Sequence, residues 1–212
     1  MMLYKGVDII LPETLQLLEE LQSDPALKSF FLVGGTALAL QIGHRFSVDL
    51  DLFTTEAFDV QQLEKYLVEN YNLHTDNVAA YTIRGSISNI KTDFLQHAYP
   101  LVKSLFKTEH LRLASIEDIA AMKLNAISIS GQRLKDFIDI YFLLERMSLE
   151  EMLIAYENKY SHSNKLIPMK ALVYFGDLNT SQTFPKMVHK LTWKKIEARL
   201  VAAVKKPYQV FN

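Results

Sequence analysis

Two aspartates, Asp49 and Asp51, stand one residue apart in Ser47-Val-Asp-Leu-Asp-Leu-Phe, a segment whose remaining side chains suit a hydrophobic core. Side chains alternate across a strand, so a strand over Ser47 to Phe53 sends Val48, Leu50 and Leu52 one way and both carboxylates the other. Like charges at that spacing repel and raise each other's pKa unless a positive group lies between them. A divalent cation is the simplest remedy, and hard oxygen ligands select Mg²⁺ or Mn²⁺. The competing reading is a pair of solvent-facing aspartates on an exposed sheet face. A calcium-binding loop is excluded, because Phe53 and Thr54 follow where further oxygen ligands and a glycine are required.

The residues upstream favour the cation. Phe30 to Val33 is a short buried strand that runs into Gly34, Gly35 and Thr36, and a helix from Thr36 to Ile42 follows directly. A strand turning into a helix presents unpaired backbone N–H groups and a hydroxyl, which together suit an anion such as a triphosphate. A third acid, Asp93, lies in the strand-like run Ile90 to Leu95, where it either joins the pair at the metal or sits as a charge on an edge strand.

Composition limits the alternatives. The chain has 212 residues, 49% of them hydrophobic and 22% charged, which is ordinary for a globular protein of one compact unit or two small lobes. Its formal charge of -1 gives no global attraction to nucleic acid. A local attraction remains: Lys186, Lys190, Lys194, Lys195, Arg199, Lys205 and Lys206 are opposed by a single acid, Glu197, and form either an RNA or partner surface or a solvated helix face. With no cysteine there is neither a disulfide nor a thiolate ligand. The start lacks a signal-peptide pattern, and Ser29 to Gly43 is too short to span a bilayer, so a cytoplasmic protein without a membrane segment is expected.

Helices are also expected over Pro12 to Leu21 and Val60 to Tyr71, and a strand pair over Tyr81 to Ile87 and Ile90 to Leu95. Beyond about Leu113 only helices are foreseen: Ser115 to Ile129, Arg133 to Arg146, one opened by the capping box of Ser148 and Glu151, and Thr192 to Val204. The expected fold is therefore α/β (α+β): a mixed-sheet core with flanking helices over residues 1–112 and an α-helical domain over 113–212. Two charges break the helical pattern. Lys123 falls in the apolar stripe of its helix, and Asp139 is the one polar residue in Phe137 to Leu144 apart from a tyrosine hydroxyl. They form either an ion pair between helices or, with the Arg133 to Asp136 segment, a lining that meets phosphates.

Taken in order, Gly34-Gly35-Thr36, His44-Arg45-Phe-Ser47-Val-Asp49-Leu-Asp51-Leu-Phe, Ala121-Met-Lys123 and Arg133-Leu-Lys135-Asp136-Phe-Ile-Asp139 resemble the nucleotidyltransferase proteins of the AbiEii/AbiGii toxin type. The resemblance covers roughly Phe30 to Leu144. It implies a minimal nucleotidyltransferase core with a helical domain, a nucleoside triphosphate with Mg²⁺ or Mn²⁺ as cofactor, and in several members a toxin role neutralised by an antitoxin. By position it makes Asp49 and Asp51, aided by Asp93, the metal ligands. Gly34, Gly35, Thr36, Arg45, Ser47, Lys123, Arg133, Lys135 and Asp139 become candidates for contacting the nucleotide, and Lys123 and Asp136 join the three acids as catalytic candidates. The serine usual after the glycine is Thr36 here, which keeps the hydroxyl. The expected reaction moves a nucleoside monophosphate to an acceptor hydroxyl, with RNA, and tRNA in particular, a candidate acceptor. The rivals are a degenerate nucleotide- or partner-binding module of the same fold and a D-x-D phosphohydrolase.

Overall fold

The computed structural model describes residues 3–179 and 182–211, which divide into two compact units. The first comprises the chain up to Ile42, Phe46–Pro100 and Leu105–Ala114; the second comprises Gly43–Arg45, Leu101–Ser104 and the chain from Ser115 onward.

The first unit is a mixed sheet with helices. Its helices are α1 (Pro12–Ser23), α2 (Gly34–Ile42) and α3 (Val60–Tyr71), with a 3₁₀ turn at Pro25–Leu27. Its strands are β1 (Phe31–Leu32), β2 (Leu50–Thr54), β3 (His74–Ala79), β4 (Thr82–Ile87), β5 (Ile90–Gln96), β6 (Phe106–Lys107) and β7 (Arg112–Leu113). They form one sheet in the order β3-β4-β5-β2-β1-β7-β6, with β2 parallel to β5, β1 parallel to β7 and the other neighbours antiparallel. One face is apolar: Leu52, Phe94 and Ile83 are in register across β2, β5 and β4 and almost fully buried. Leu18 and Leu21 of α1, Leu38 and Leu40 of α2 and Leu67 of α3 are buried in the same unit, which removes apolar surface from water at about 25 cal/mol per Å².

Several expectations shift. The strand foreseen from Ser47 begins only at Leu50, because Ser47 donates its amide to the Ile9 carbonyl and the Asp49 carbonyl accepts from the Thr36 hydroxyl, so this backbone is engaged outside the ladder. The helix after the first strand starts at Gly34 rather than Thr36. The strand β3 escapes a pattern reading because His-Thr-Asp-Asn-Val-Ala is largely exposed and bulged between Thr75 and Asn77. The His74 carbonyl lies so close to Gly85 that any Cβ there would overlap it.

The second unit is helical: α4 (Ile116–Ile129), α5 (Leu134–Leu143), α6 (Leu149–Lys159), α7 (Leu166–Ala171) and α8 (Trp193–Lys205). Ser115 caps α4 by accepting from the Asp118 amide, and Ser148 and Glu151 form the expected capping box of α6. The helix expected to reach Arg146 ends at Leu143. The unforeseen α7 carries Pro168 in its first turn, where a missing N–H is tolerated. Asp118, fully buried, binds this unit together: it accepts from Lys159 Nζ at 2.8 Å, from Ser115 Oγ at 2.6 Å, and from the amides of Val102 and Lys103 at 3.0 and 3.1 Å. Burial alone would raise its carboxyl, but these donors hold it below the ordinary carboxylate value.

Candidate active site

In the first unit the acids converge through strand register. Asp51 of β2 pairs with Asp93 of β5, and Asp93 pairs with Arg84 of β4, so the three occupy one row on the face opposite Leu52, Phe94 and Ile83. The strand β5 lies inside the sheet between β2 and β4, so Asp93 is not an edge charge. It is only 8% exposed, and its Oδ1 has no hydrogen-bond partner. Asp49 sits one residue ahead of β2 and is half-buried, so its position follows from the hydrogen bonds of the Ser47–Asp49 segment and not from strand alternation.

The glycines open this face to the start of α2. Gly34 has φ +70, in the left-handed region, and a Cβ there would stand 2.5 Å from Asp51 Oδ2. The absent side chain therefore lets the Asp51 carboxylate lie against the first residue of α2. Just beyond it, the first-turn N–H groups lack intrahelical acceptors. Thr36 is 1% exposed, donates its hydroxyl to the Asp49 carbonyl at 2.5 Å and lies 2.9 Å from the Ser47 hydroxyl. The hydroxyls of Thr36 and Ser47 thus tie the segment carrying Asp49 to α2.

Among the described residues, no group of three or more histidine, aspartate or glutamate side chains is drawn together tightly enough to hold a metal. The row supplies two carboxylates with hard oxygens, one of them a buried atom without a partner, and this donor set fits Mg²⁺ or Mn²⁺.

The remaining candidates gather in the second unit. Asp139, fully buried on α5, accepts from Arg45 Nε at 2.7 Å and Nη2 at 3.1 Å, and from His44 Nε2 at 2.8 Å. Lys123 Nζ on α4 is 2.7 Å from Asp139 Oδ2 and 2.6 Å from Asp136 Oδ1. Of the two readings open for Lys123, the ion pair between helices is what this arrangement contains, and a phosphate contact would require it to leave two carboxylates. Arg45 and Lys123 balance Asp136 and Asp139. Burial opposes ionisation of Asp139, yet Arg45 and Lys123 hold its carboxyl well below the usual range. For Lys123 burial acts downward, and Asp139 and Asp136 outweigh it and raise the ammonium. Burial keeps His44 below the ordinary imidazole value despite Asp139, and its Nδ1 has no partner. Arg133 and Lys135 are exposed, with Arg133 3.8 Å from Asp136.

Sequence reasoning missed Arg84 and Lys91, which approach Asp93 Oδ2 to 3.8 and 3.7 Å. The signal was Lys91 two residues before Asp93 on one strand, hence on the same face. It missed the Asp118–Lys159 pair as well, since nothing in the chain marks partners so far apart. Six of the seven cations between Lys186 and Lys206 are exposed. The seventh, Arg199, instead stacks 3.7 Å from the Tyr141 ring centroid and bonds Glu145 at 2.6 Å. Among the described residues no helix is long and apolar enough to cross a membrane.

Comparison with known proteins follows the same lines. An uncharacterized protein of Aquifex aeolicus (strain VF5) is 33% identical over 171 residues, covering 78% of this chain and 82% of that protein. Three solved structures share the fold at low identity. An antigenic nucleotidyltransferase-like protein from Paracoccidioides brasiliensis has a TM-score of 0.56 at 15% identity, covering 97% of this chain and 99% of that one. JHP933 from Helicobacter pylori has a TM-score of 0.52 at 17% identity, covering 92% and 89%. The antibiotic-resistance factor ANT(2″)-Ia has a TM-score of 0.55 at 13% identity, covering 70% and 91%. The model of the nucleotidyl transferase AbiEii toxin of type IV toxin–antitoxin systems matches residues 16–104 and 85–209. With a mixed sheet that pairs Asp51 with Asp93 and a family match running along most of its length, the chain belongs to the AbiEii nucleotidyl transferase toxin family.

Proposed function

We propose that this protein transfers a nucleoside monophosphate from a nucleoside triphosphate to an acceptor hydroxyl. The observation that carries the reading is the register of Asp51 with Asp93 beside the glycine-opened start of α2. Mg²⁺ or Mn²⁺ held by Asp51 and Asp93, with Asp49 joining them as the ion binds, would neutralise phosphate charge. The first-turn amides of α2 at Gly34 and Gly35 receive phosphate oxygens. Asp93 orients the acceptor hydroxyl and takes its proton, the acceptor oxygen bonds the α-phosphorus, and the bond to the bridging oxygen breaks as pyrophosphate leaves. Thr36 and Ser47 act by holding Asp49 in place. Lys123, Asp136, Asp139 and Arg45 keep the second unit in one arrangement, with Arg133 and Lys135 outside it free to meet the acceptor.

The acceptor we favour is RNA, with tRNA the first to try, because Lys190, Lys194, Lys195, Lys205 and Lys206 are exposed on a short stretch of chain. The family's description supports a toxin role with a cognate antitoxin, and a chain without cysteine suits the reducing cytoplasm in which we place it. The test is transfer of label from each α-labelled nucleoside triphosphate to total RNA and protein, beside the Asp49→Ala, Asp51→Ala double variant with its melting curve. Label in a discrete RNA band, absent with a folded double variant, supports the reading. Nucleotide binding without transfer would replace it with a binding module, and phosphate release without labelled acceptor with a phosphohydrolase.

A further inference from the structure

Asp93 has a lopsided environment. Two cations, Arg84 and Lys91, approach its Oδ2 at 3.8 and 3.7 Å, while its buried Oδ1 has no partner. Those distances exceed hydrogen-bond reach, so the attraction is through space. Both side chains are more than half exposed, at 56% and 58%. Cations this exposed, held beyond hydrogen-bond distance, leave their partner at little cost. The contrast with Lys123, buried and 2.6 Å from Asp136, is that of a loose pair against a seated one.

The bland explanation, charges placed to protect a sheet edge, fails for Arg84: β4 is covered by β3 on its outer side. Cations beside carboxylates that hold a metal would compete with that metal. Their placement makes sense when the metal arrives with an anion. Once Asp93 is neutralised by a cation, Arg84 and Lys91 lose their partner and face solvent in the row of Asp51 and Asp93. An arginine fork next to an ammonium suits phosphate oxygens.

We propose that Arg84 and Lys91 form a phosphate-binding subsite beside Asp93, on the carboxylate face of β4 and β5. The proposal rests on the nucleotidyltransferase reading for its occupant, a phosphate group of either the triphosphate or the acceptor strand.

Equilibrium binding of inorganic tripolyphosphate with Mg²⁺, and separately of a tRNA pool, to the wild-type chain and to Arg84→Gln/Lys91→Gln tests it. The variant, melting like the wild type, is expected to bind one of the two probes about tenfold more weakly, with the salt slope reduced by about one to two. Loss for tripolyphosphate places the subsite on the nucleotide side; loss for tRNA alone places it on the acceptor side. Arg84→Lys/Lys91→Arg, which keeps both charges, is expected to restore most of the affinity. Affinities within twofold of wild type for both probes, or a wild-type chain that binds neither, overturn the subsite. Failure of the transfer reading shows separately, as absence of labelled acceptor from a protein whose phosphate binding still depends on Arg84 and Lys91.

Discussion

Gly34 and Asp51 are in such close approach that the glycine's missing side chain is the space in which the carboxylate lies. An alanine there meets two obstacles, the left-handed φ of +70 and a Cβ 2.5 Å from Asp51 Oδ2. The backbone conformation alone costs about 1–2 kcal/mol, and Asp51 must also move. Gly34→Ala is expected to lower the denaturation midpoint by that order and to depress transfer by more than the lost stability explains, because Asp51 is displaced. Denaturant titration with label transfer on the folded fraction checks this, and wild-type transfer would show that Asp51 tolerates the shift.

Asp139 is the acceptor shared by Arg45, His44 and Lys123. Removing it takes away the one carboxylate to which Arg45, His44 and Lys123 all turn. Asp139→Ala is expected to destabilise the protein by about 3–5 kcal/mol, the usual cost of leaving a buried charge without its partner. Chemical denaturation measures it, and a loss below about 1 kcal/mol would mean that water reaches Arg45 and Lys123.

The Asp118–Lys159 pair predicts an asymmetry. Lys159→Met keeps the aliphatic stem and leaves Asp118 with Ser115 and the amides of Val102 and Lys103. Asp118→Ala removes the acceptor of the Lys159 ammonium, the Ser115 hydroxyl and the amides of Val102 and Lys103 at once. The aspartate variant should therefore be less stable than the methionine variant by at least about 1 kcal/mol, as paired thermal or denaturant melts would show. Equal losses would contradict it.

Acid should weaken the fold before the carboxylates titrate. Burial depresses the folded-state pKa of His44, so near pH 6.5 the unfolded chain takes up a proton that the folded chain refuses. The stability associated with neutral His44 is present above the unfolded value and is lost as pH falls toward the folded one. The wild-type melting temperature is expected to drop between pH 7.5 and 5.5 more than that of His44→Gln, and parallel curves would refute the assignment.

The chain made much of the fold legible. Alternation in β4 and β5, the capping serines at Ser115 and Ser148, and the apolar spacing of α1, α3 and α8 are local signals, and each element lies within a few residues of its expected place. The strand β3 was hidden because its side chains face water on both sides, and β6 and β7, of two residues each, are too short to carry a period.

The site divides in the same way. The sequence by itself determined that Asp49 and Asp51 are close and that glycines precede a helix, since both follow from neighbours along the chain. Only tertiary structure decided that Asp93 stands opposite Asp51 with Arg84 on its other side, because register between strands is set by the pairing of distant segments and the burial of Leu52, Phe94 and Ile83 on the opposite face. It also decided that His44 and Arg45, a few residues before the acids, belong to the second unit. There the two cations and two carboxylates of the Asp139 cluster offset the cost of burial together, a balance that no one segment of the chain contains.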